Sequence, residues 1–356
     1  MWAAMQREWL LGGAAVAWAL MAWYLHRLPV YDWKGLEPIF LLWVLFVLFK
    51  GIERHGLLQK LARQVEKGSF LASKMVVLAF AFSLMMSIDA SLVVLIPLIF
   101  ALKTRQKLAL SVLVALTAHL GSALTPFGTP QNLFIFRYYG PDLWAFVRVI
   151  APFSLGFFLL YLGIAFFLKV ESPVKRGRKR HSKVAWHPTL WYLAGFFLTV
   201  GVVVDLLPVW VLTPILPAVA LLDARSLRVD YALLLTFVLF LGLADNARIL
   251  IGHDLDHPHH IFLLSATLSQ FISNVPTTLL MTPLTQRWEA LLWGTNAGGF
   301  GTPVAAMANL IAYRLVAFHA DRSFTLRYLR GFTLAGAATL LLASGLYFSL
   351  IAPRIG

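Results

Sequence analysis

The chain has 356 residues, of which 60% are hydrophobic and 13% charged, and its formal net charge is +14. Soluble domains carry about 25% charged residues, so this composition belongs to an integral membrane protein, and the surplus of Lys and Arg reads as cytoplasmic loop charge rather than a nucleic-acid surface. No cysteine is present, which excludes disulfides, thiolate metal sites and cysteine nucleophiles.

Roughly 20 apolar residues cross a bilayer, which leaves room for about ten spans. Trp9–Leu25 follows a basic residue and leads straight into a second apolar run, Pro38–Phe49, so it reads as an uncleaved anchor rather than a signal peptide. His55–Lys67 puts Leu57, Leu58, Leu61 and Val65 on one helical face with charges opposite, the pattern of an interfacial helix. Phe70–Ser87 is apolar, pauses at Ser87-Ile88-Asp89-Ala90-Ser91 and resumes as Leu92–Leu102, which predicts a re-entrant hairpin. Leu108–Tyr139 is a span broken at Thr125-Pro126-Phe127-Gly128-Thr129-Pro130-Gln131-Asn132, and Phe146–Leu168 follows it. A basic linker, 171–187, separates this first repeat, 1–170, from a second, 188–356.

The second half runs in the same order. Leu190–Leu207, Val209–Leu222 and Tyr231–Ala244 read as spans, with Pro208, Pro214 and Pro217 making the middle one irregular. Ile261–Ile272 and Leu279–Leu284 flank a polar tip, Ser273-Asn274-Val275-Pro276-Thr277-Thr278, as a second hairpin. Trp293–Phe318 is the second broken span and Phe332–Ile351 the last. The two breaks align without gaps: Gly121, Thr125, Pro126, Asn132, Leu133 and Arg137 fall on Gly298, Thr302, Pro303, Asn309, Leu310 and Arg314. The hairpins align too, with Ser83, Ser87, Ser91 and Pro97 on Ser269, Ser273, Thr277 and Pro283.

With the N-terminus inside and the C-terminus outside, 23 of the 30 Lys and Arg fall in cytoplasmic segments and 6 outside. That bias satisfies the positive-inside rule and makes the halves inverted repeats. The expected fold is an all-α polytopic membrane protein of the cytoplasmic (inner) membrane, each repeat holding a re-entrant hairpin and a broken transmembrane helix.

Breaks at membrane depth are tolerable only where protein or a wet cavity takes up the freed backbone groups, and paired breaks in two halves mark a transport site. Half-helix N-termini suit an anion; carbonyls with Ser, Thr and Asn oxygens suit a hard cation. The candidate contacts are Ser87, Asp89 and Ser91 at the first tip and Ser273, Asn274, Thr277 and Thr278 at the second. Thr125, Thr129, Pro130, Asn132, Thr302 and Asn309 come from the breaks, with Gln131 beside them. Several of these residues also suit helix capping.

Asp89 is the one carboxylate placed deep in the membrane, where a charge is costly unless paired, hydrated or protonated. It suits a coupling-ion ligand, a protonation site or an N-cap. His119 has the chemistry of a proton relay, although a lone imidazole on an apolar face is more commonly a packing residue. Arg137 and Arg314 end equivalent half-helices, where cations complement the dipole. The run His253-Asp254-Leu255-Asp256-His257-Pro258-His259-His260 resembles metal chemistry but lacks an ordered ligand spacing, so a solvated loop is expected and no metal is assigned. There is no Gly-x-x-x-x-Gly-Lys-Ser/Thr loop, hence no visible ATP motor.

At Leu124-Thr125-Pro126-Phe127-Gly128-Thr129-Pro130-Gln131-Asn132 and Ser273-Asn274-Val275-Pro276 the chain resembles the ion-transporter superfamily of divalent-anion/sodium symporters, arsenite permeases and one class of sodium/proton antiporters. It is most similar to the arsenite-permease-like anion permeases, across nearly its whole length. The resemblance implies a scaffold and a mobile transport domain, a homodimer and elevator-type alternating access. It also places Ser273, Asn274, Thr277, Thr129, Pro130 and Asn132 at the site. The chain departs at the first tip, where Ile88 stands in place of the family's Asn, so a sodium cage there lacks one neutral oxygen. The expectation is therefore a secondary transporter of a small anion with no cofactor, coupled to sodium or, through Asp89, to protons. A sodium/proton antiporter would need a second buried carboxylate beside Asp89, which the sequence does not reveal. A membrane-embedded metal-dependent hydrolase using the histidine loop is the alternative from another class.

Overall fold

Backbone polar groups in an apolar chain of this kind must be satisfied locally, and helices do so here. The computed structural model describes residues 2–65, 70–85, 87–102, 104–168, 170, 184–251 and 255–355, and no strand occurs among them. The first half contains α1 (Trp2–Leu25), α2 (Trp33–Arg54), α3 (Leu57–Val65), α4 (Leu71–Met85), α5 (Ile88–Ala101), α6 (Lys107–Ala123), α7 (Pro130–Tyr139) and α8 (Leu143–Phe167). The second contains α9 (Trp186–Val203), α10 (Ile215–Leu222), α11 (Tyr231–Ile251), α12 (Pro258–Ile272), α13 (Asn274–Met281), α14 (Trp288–Gly298), α15 (Met307–His319) and α16 (Arg322–Leu350). Residues 171–183 of the basic linker lie outside the described residues.

Four described stretches are long and apolar enough to cross a membrane: α2, α8, α11 and Arg322–Arg354. Asp32, Asp142 and Asp321 cap α2, α8 and α16 by accepting from backbone amides of the first turn. Two expectations need adjusting. Val209–Leu222, expected to be irregular, is not one continuous helix but a 3₁₀ turn, Val209–Leu212, followed by the eight residues of α10. Pro214 lacks the N–H that would continue the turn into a longer helix, and fourteen helical residues would reach only about 21 Å of a roughly 30 Å core. In α3 the apolar side chains divide: Leu58 and Ala62 are buried against α2, α4 and α5, while Leu61 is exposed.

The two halves reuse one set of pairings. α4 packs on α6 as α12 packs on α14, and the second arms cross over, α5 onto α15 and α13 onto α7. Both first-arm contacts are closed by a glycine. A Cβ on Gly121 would sit 2.2 Å from the Phe80 carbonyl oxygen, and one on Gly298 would sit 2.9 Å from that of Ala266. Phe80 and Ala266 correspond in the register that pairs Ser83 with Ser269. In each half the serine turns its hydroxyl inward to a carbonyl of its own helix, Ser83 to Ala79 and Ser269 to Ser265.

At the end of α2 an ion-pair network ties three segments together. Asp223 accepts from Arg54, from Ser226 at 2.6 Å and from Tyr192 at 2.9 Å. Burial pushes its carboxyl up, but donation from Ser226, Arg54 and Tyr192 outweighs this and holds it at about 2.

Gly121→Ala should lower the thermal midpoint in detergent, since the clash is with backbone and overpacking costs about 1–3 kcal/mol. Gly156→Ala in α8, whose Cβ would meet nothing within 4 Å, is the control and should be neutral or slightly stabilising. Equal midpoints for the two variants would show that the α4–α6 contact is looser than drawn. A carboxyl depressed from 3.8 to about 2 stabilises the fold fully above about pH 4 and loses that contribution as pH falls towards 2. The midpoint of the native protein should therefore fall more steeply than that of Asp223→Asn across this window, as read by differential scanning fluorimetry. Parallel profiles would remove Asp223 from the stability argument.

Candidate functional site

Each break begins as a problem of unsatisfied carbonyls. α6 stops at Ala123, and Pro126 and Pro130 carry no N–H with which to continue it. Asn132, in the first turn of α7, solves this with its amide nitrogen, which donates to the Ala123 carbonyl at 2.9 Å and to that of Thr125 at 3.3 Å. Asn309 does the same in the other half, donating to Gly299 at 3.0 Å and Thr302 at 3.1 Å. The break threonines anchor to their own hairpins: Thr125 Oγ1 donates to Leu84 O at 3.2 Å, and Thr302 Oγ1 to Gln270 O at 3.0 Å. Leu84 and Gln270 are equivalent positions. Only the second has a polar side chain, and it takes the Gly298 carbonyl at 2.7 Å and that of Phe300 at 2.9 Å.

The remaining oxygens of the two asparagines join the halves. Asn296 Nδ2 donates to Asn132 Oδ1 at 2.8 Å, and His119 Nε2 lies 2.6 Å from Asn309 Oδ1. Asn132, Asn309, Asn296 and His119 are all buried.

The hairpin tips differ. Ser87 is an ordinary N-cap of α5, accepting from Ala90 N at 3.2 Å. Ser273 sits at φ 73° and ψ 153°, a region essentially reserved for glycine, and its buried hydroxyl has no hydrogen-bond partner among the described residues. The Asn274 amide holds this turn by donating to Ala305 O at 2.9 Å. Thr277 and Thr278 turn back onto the carbonyls of Ser273 and Asn274, and Ser91 onto that of Ala79 at 3.4 Å.

What faces open space is a smaller set. The N-terminal ends of α5, α7, α13 and α15 meet at one cavity of about 60 Å³, enough for a few waters. Its walls are Ser87 to Asp89, Gly128 to Gln131, Asn274 with Val275, and Ala306 to Ala308, closed by Phe46, Leu233 and Phe237 from α2 and α11. It continues into a wider cavity of about 260 Å³ that includes Lys50, Glu53, Arg228 and Asp230. Phe46, Ser87, Asp89, Leu233 and Met307 line both. Asp89 is exposed to this space and makes no ion pair among the described residues. Among the described residues, no Lys, Arg or His lines the inner cavity.

Of the residues singled out in the sequence, Ser87, Asp89, Thr129, Pro130 and Asn274 reach the inner cavity, with Gln131 beside them. Thr125, Asn132, Thr302 and Asn309 stand behind it, holding the breaks, and Ser91, Ser273, Thr277 and Thr278 are buried in or beside the hairpin arms. Asn296, Gln270, Phe46 and Met307 were not anticipated. The register that aligns the breaks also pairs His119 with Asn296 and Thr129 with Ala306, so it could have found the first of them. Arg137 does not merely end its helix. It donates to Glu37, to Asp205 and to the carbonyls of Val202 at 3.3 Å and Val203 at 3.2 Å, tying α7 to α2 and the end of α9. Arg314, exposed, makes no ion pair among the described residues. His253 and Asp254 lie outside the described residues, and no cluster of three potential metal ligands occurs among the rest.

These placements separate two variants that sequence reasoning treats alike. Asn132→Ala leaves carbonyls of the break and the Asn296 amide unpaired, so it should cost about 1–3 kcal/mol and lower the thermal midpoint. Asn274→Ala removes a side chain that makes no hydrogen bond among the described residues and faces the cavity, so its midpoint should stay within a degree or two while any ligand-induced thermal shift disappears. The reverse ranking would mean that Asn132 is a ligand contact and Asn274 a structural one.

A family model described as a citrate transporter, CitMHS, matches residues 1–293, which takes in both hairpin tips and the first break. An uncharacterized transporter of Methanocaldococcus jannaschii is 29% identical over 303 residues, spanning 80% of this chain and 82% of its own. The inner membrane protein YbiR of Escherichia coli is 30% identical over 302 residues, 80% of each chain. The chain therefore belongs to the citrate transporter family, and it is a membrane transporter rather than an enzyme.

Proposed function

We propose that the protein is a secondary active transporter of a small anion across the cytoplasmic membrane. The observation that carries this is the meeting of four helix N-termini at one cavity. Each end is equivalent to roughly half a positive charge. Ser87 and Thr129 cap α5 and α7, but α13 and α15 have no side-chain cap; the Asn274 amide is taken by Ala305 O, which leaves Val275 N on α13 and the amides of Met307 and Ala308 on α15 available to a ligand among the described residues. The family name points to citrate. A tricarboxylate would find no Lys or Arg in the inner cavity and would meet the Asp89 carboxylate, so a small anion of low charge suits these walls better.

The same reading takes 1–170 and 188–356 as inverted repeats around a basic cytoplasmic linker, with the N-terminus inside, the C-terminus outside and a homodimeric assembly. Elevator-type alternating access then assigns this conformation to the inward-open state. On one side Arg137 joins α7 to Glu37 and Asp205. On the other, α5 and α15 face α2 and the start of α11 across the wider cavity, towards Lys50, Glu53, Arg228 and Asp230. The charge count makes that second side cytoplasmic. Asp89, lining both cavities, is the coupling group, with protons favoured because Ile88 supplies no oxygen for sodium.

One observation favours the sodium/proton antiporter as a second reading: Glu53 and Asp230 share the wider cavity with Asp89, and both lie close enough to influence it electrostatically. Glu53 is already paired with Lys50 at 3.1 Å, which weakens that reading.

Proteoliposomes offered citrate, sulfate, phosphate or arsenite under an inward proton or sodium gradient separate the two. Accumulation of one anion by the native protein, lost in Asp89→Asn while its thermal shift with that anion persists, is the expected result. Gradient-driven sodium–proton exchange with no anion uptake would replace it with the antiporter.

A further inference from the structure

The register that pairs Gly121 with Gly298 pairs His119 with Asn296, and the two perform one task. Each stands on the helix before a break and reaches across to the asparagine that braces the other break: Asn296 to Asn132 at 2.8 Å, His119 to Asn309 at 2.6 Å. The polarity of the second bond follows from its partner. Asn309 Nδ2 is committed to the carbonyls of Gly299 and Thr302, so Oδ1 is the acceptor and His119 must present Nε2–H to it. In the other half the same donation comes from an amide, which does not titrate.

His119 is otherwise remote from ionic chemistry. Its ring is 6% exposed and packs on Phe300, with centroids 5.4 Å apart. It lines neither cavity, and no carboxylate or cation pairs with it among the described residues. What it touches does reach the site: Asn309 lies in the first turn of α15, whose opening residues Ala306 to Ala308 form one wall of the inner cavity.

We propose that His119 is a positioning residue rather than a proton carrier: by donating Nε2–H to Asn309 it fixes the uncapped N-terminus of α15 at the cavity, the counterpart of the Asn296–Asn132 bond in the other repeat. Its imidazole is used for reach and for one N–H, and the proton on that nitrogen stays in place through the transport cycle. The flux arm of the test rests on the transport reading above; the labelling arm does not.

The absence of cysteine from the chain supplies the tool. Met307→Cys places a single thiol on the cavity wall at the start of α15, and its rate of modification by an anionic methanethiosulfonate reagent reports the position of that helix end. Glutamine sets its Nε2 close to where histidine sets its own, so His119→Gln keeps the donor and removes the titration. In the Met307→Cys background, His119→Gln should label within about twofold of the parent, and His119→Ala should differ by about tenfold or more, as the loss of one buried hydrogen bond of ordinary strength allows. Without the reporter, His119→Gln should retain both the pH profile and the proton-gradient-driven accumulation of whichever of citrate, sulfate, phosphate or arsenite the native protein takes up. Native labelling with lost proton-driven accumulation in His119→Gln would make the histidine the proton carrier and overturn the proposal. Labelling of His119→Gln that matches His119→Ala, or differs from the parent by the same tenfold, would overturn the positioning role. Should His119→Ala fail to fold, the two glutamine measurements still decide. If no anion accumulates even in the native protein, the transport reading fails while the labelling comparison stands.

Discussion

A helix interrupted away from water must have its freed carbonyls taken up by protein, and the rest of this structure is arranged around that requirement. Asn132 and Asn309 take the carbonyl ends of their breaks, Thr125 and Thr302 tie the breaks to the hairpins, and Gln270 takes what the second break leaves over. Once the acceptors are consumed, the groups left facing the cavity are amide ends. The polarity of the site is thus a by-product of how the breaks are stabilised. Two half-helices begin at the cavity, the carbonyls of the breaks that precede them are taken up behind it, and the hairpin arms add two more N-termini.

The same requirement explains why the halves interlock. Each bracing asparagine has one oxygen to spare, and in each case it is satisfied from the opposite half of the chain, by Asn296 or by His119. Leaving either oxygen unpaired in so buried a place would cost more than the bond itself contributes. The two breaks are therefore held in fixed relation, while the crossing of α5 onto α15 and α13 onto α7 binds the hairpins to the same unit. The tight approaches at Gly121 and Gly298 leave little room for the first arms to slide.

Within that shared frame the chemistry is unequal. Ser87 is relaxed where Ser273 is strained, Thr129 caps where Ala306 cannot, and Asp89 corresponds to Val275. The strained tip and the uncapped α15 both belong to the second half of the chain; the carboxylate belongs to the first. The paired breaks thereby meet at one unequal cavity, with helix N-termini on one wall and an ionisable group on the other. Arg137 shows a similar inequality: it is bound to Glu37 and Asp205, while its equivalent, Arg314, is exposed.

Composition determined the membrane environment, because so few charges and so many apolar residues leave no soluble alternative. The periodic runs and their Gly, Pro, Ser and Asp punctuation located the helices, the two tips and the two breaks, since caps and missing N–H groups act over three or four residues and are written locally. In Val209–Leu222 the prolines announced an irregular segment and its two ends, but not that it would divide into a 3₁₀ turn and the short α10. The division of the polar residues was not legible. Nothing in the spacing of Asn132 and Asn274 says that one braces a carbonyl and the other faces a cavity, because that depends on which chain segments lie across from them. Asn296 and Gln270 passed unnoticed for the same reason, and Ser273 reveals its strain only as a dihedral angle. Sequence determined which residues are polar at depth. Tertiary structure alone decided which of them hold the protein together and which are left to meet a ligand, because a hydrogen bond is claimed by whichever partner folding brings within 3 Å or so.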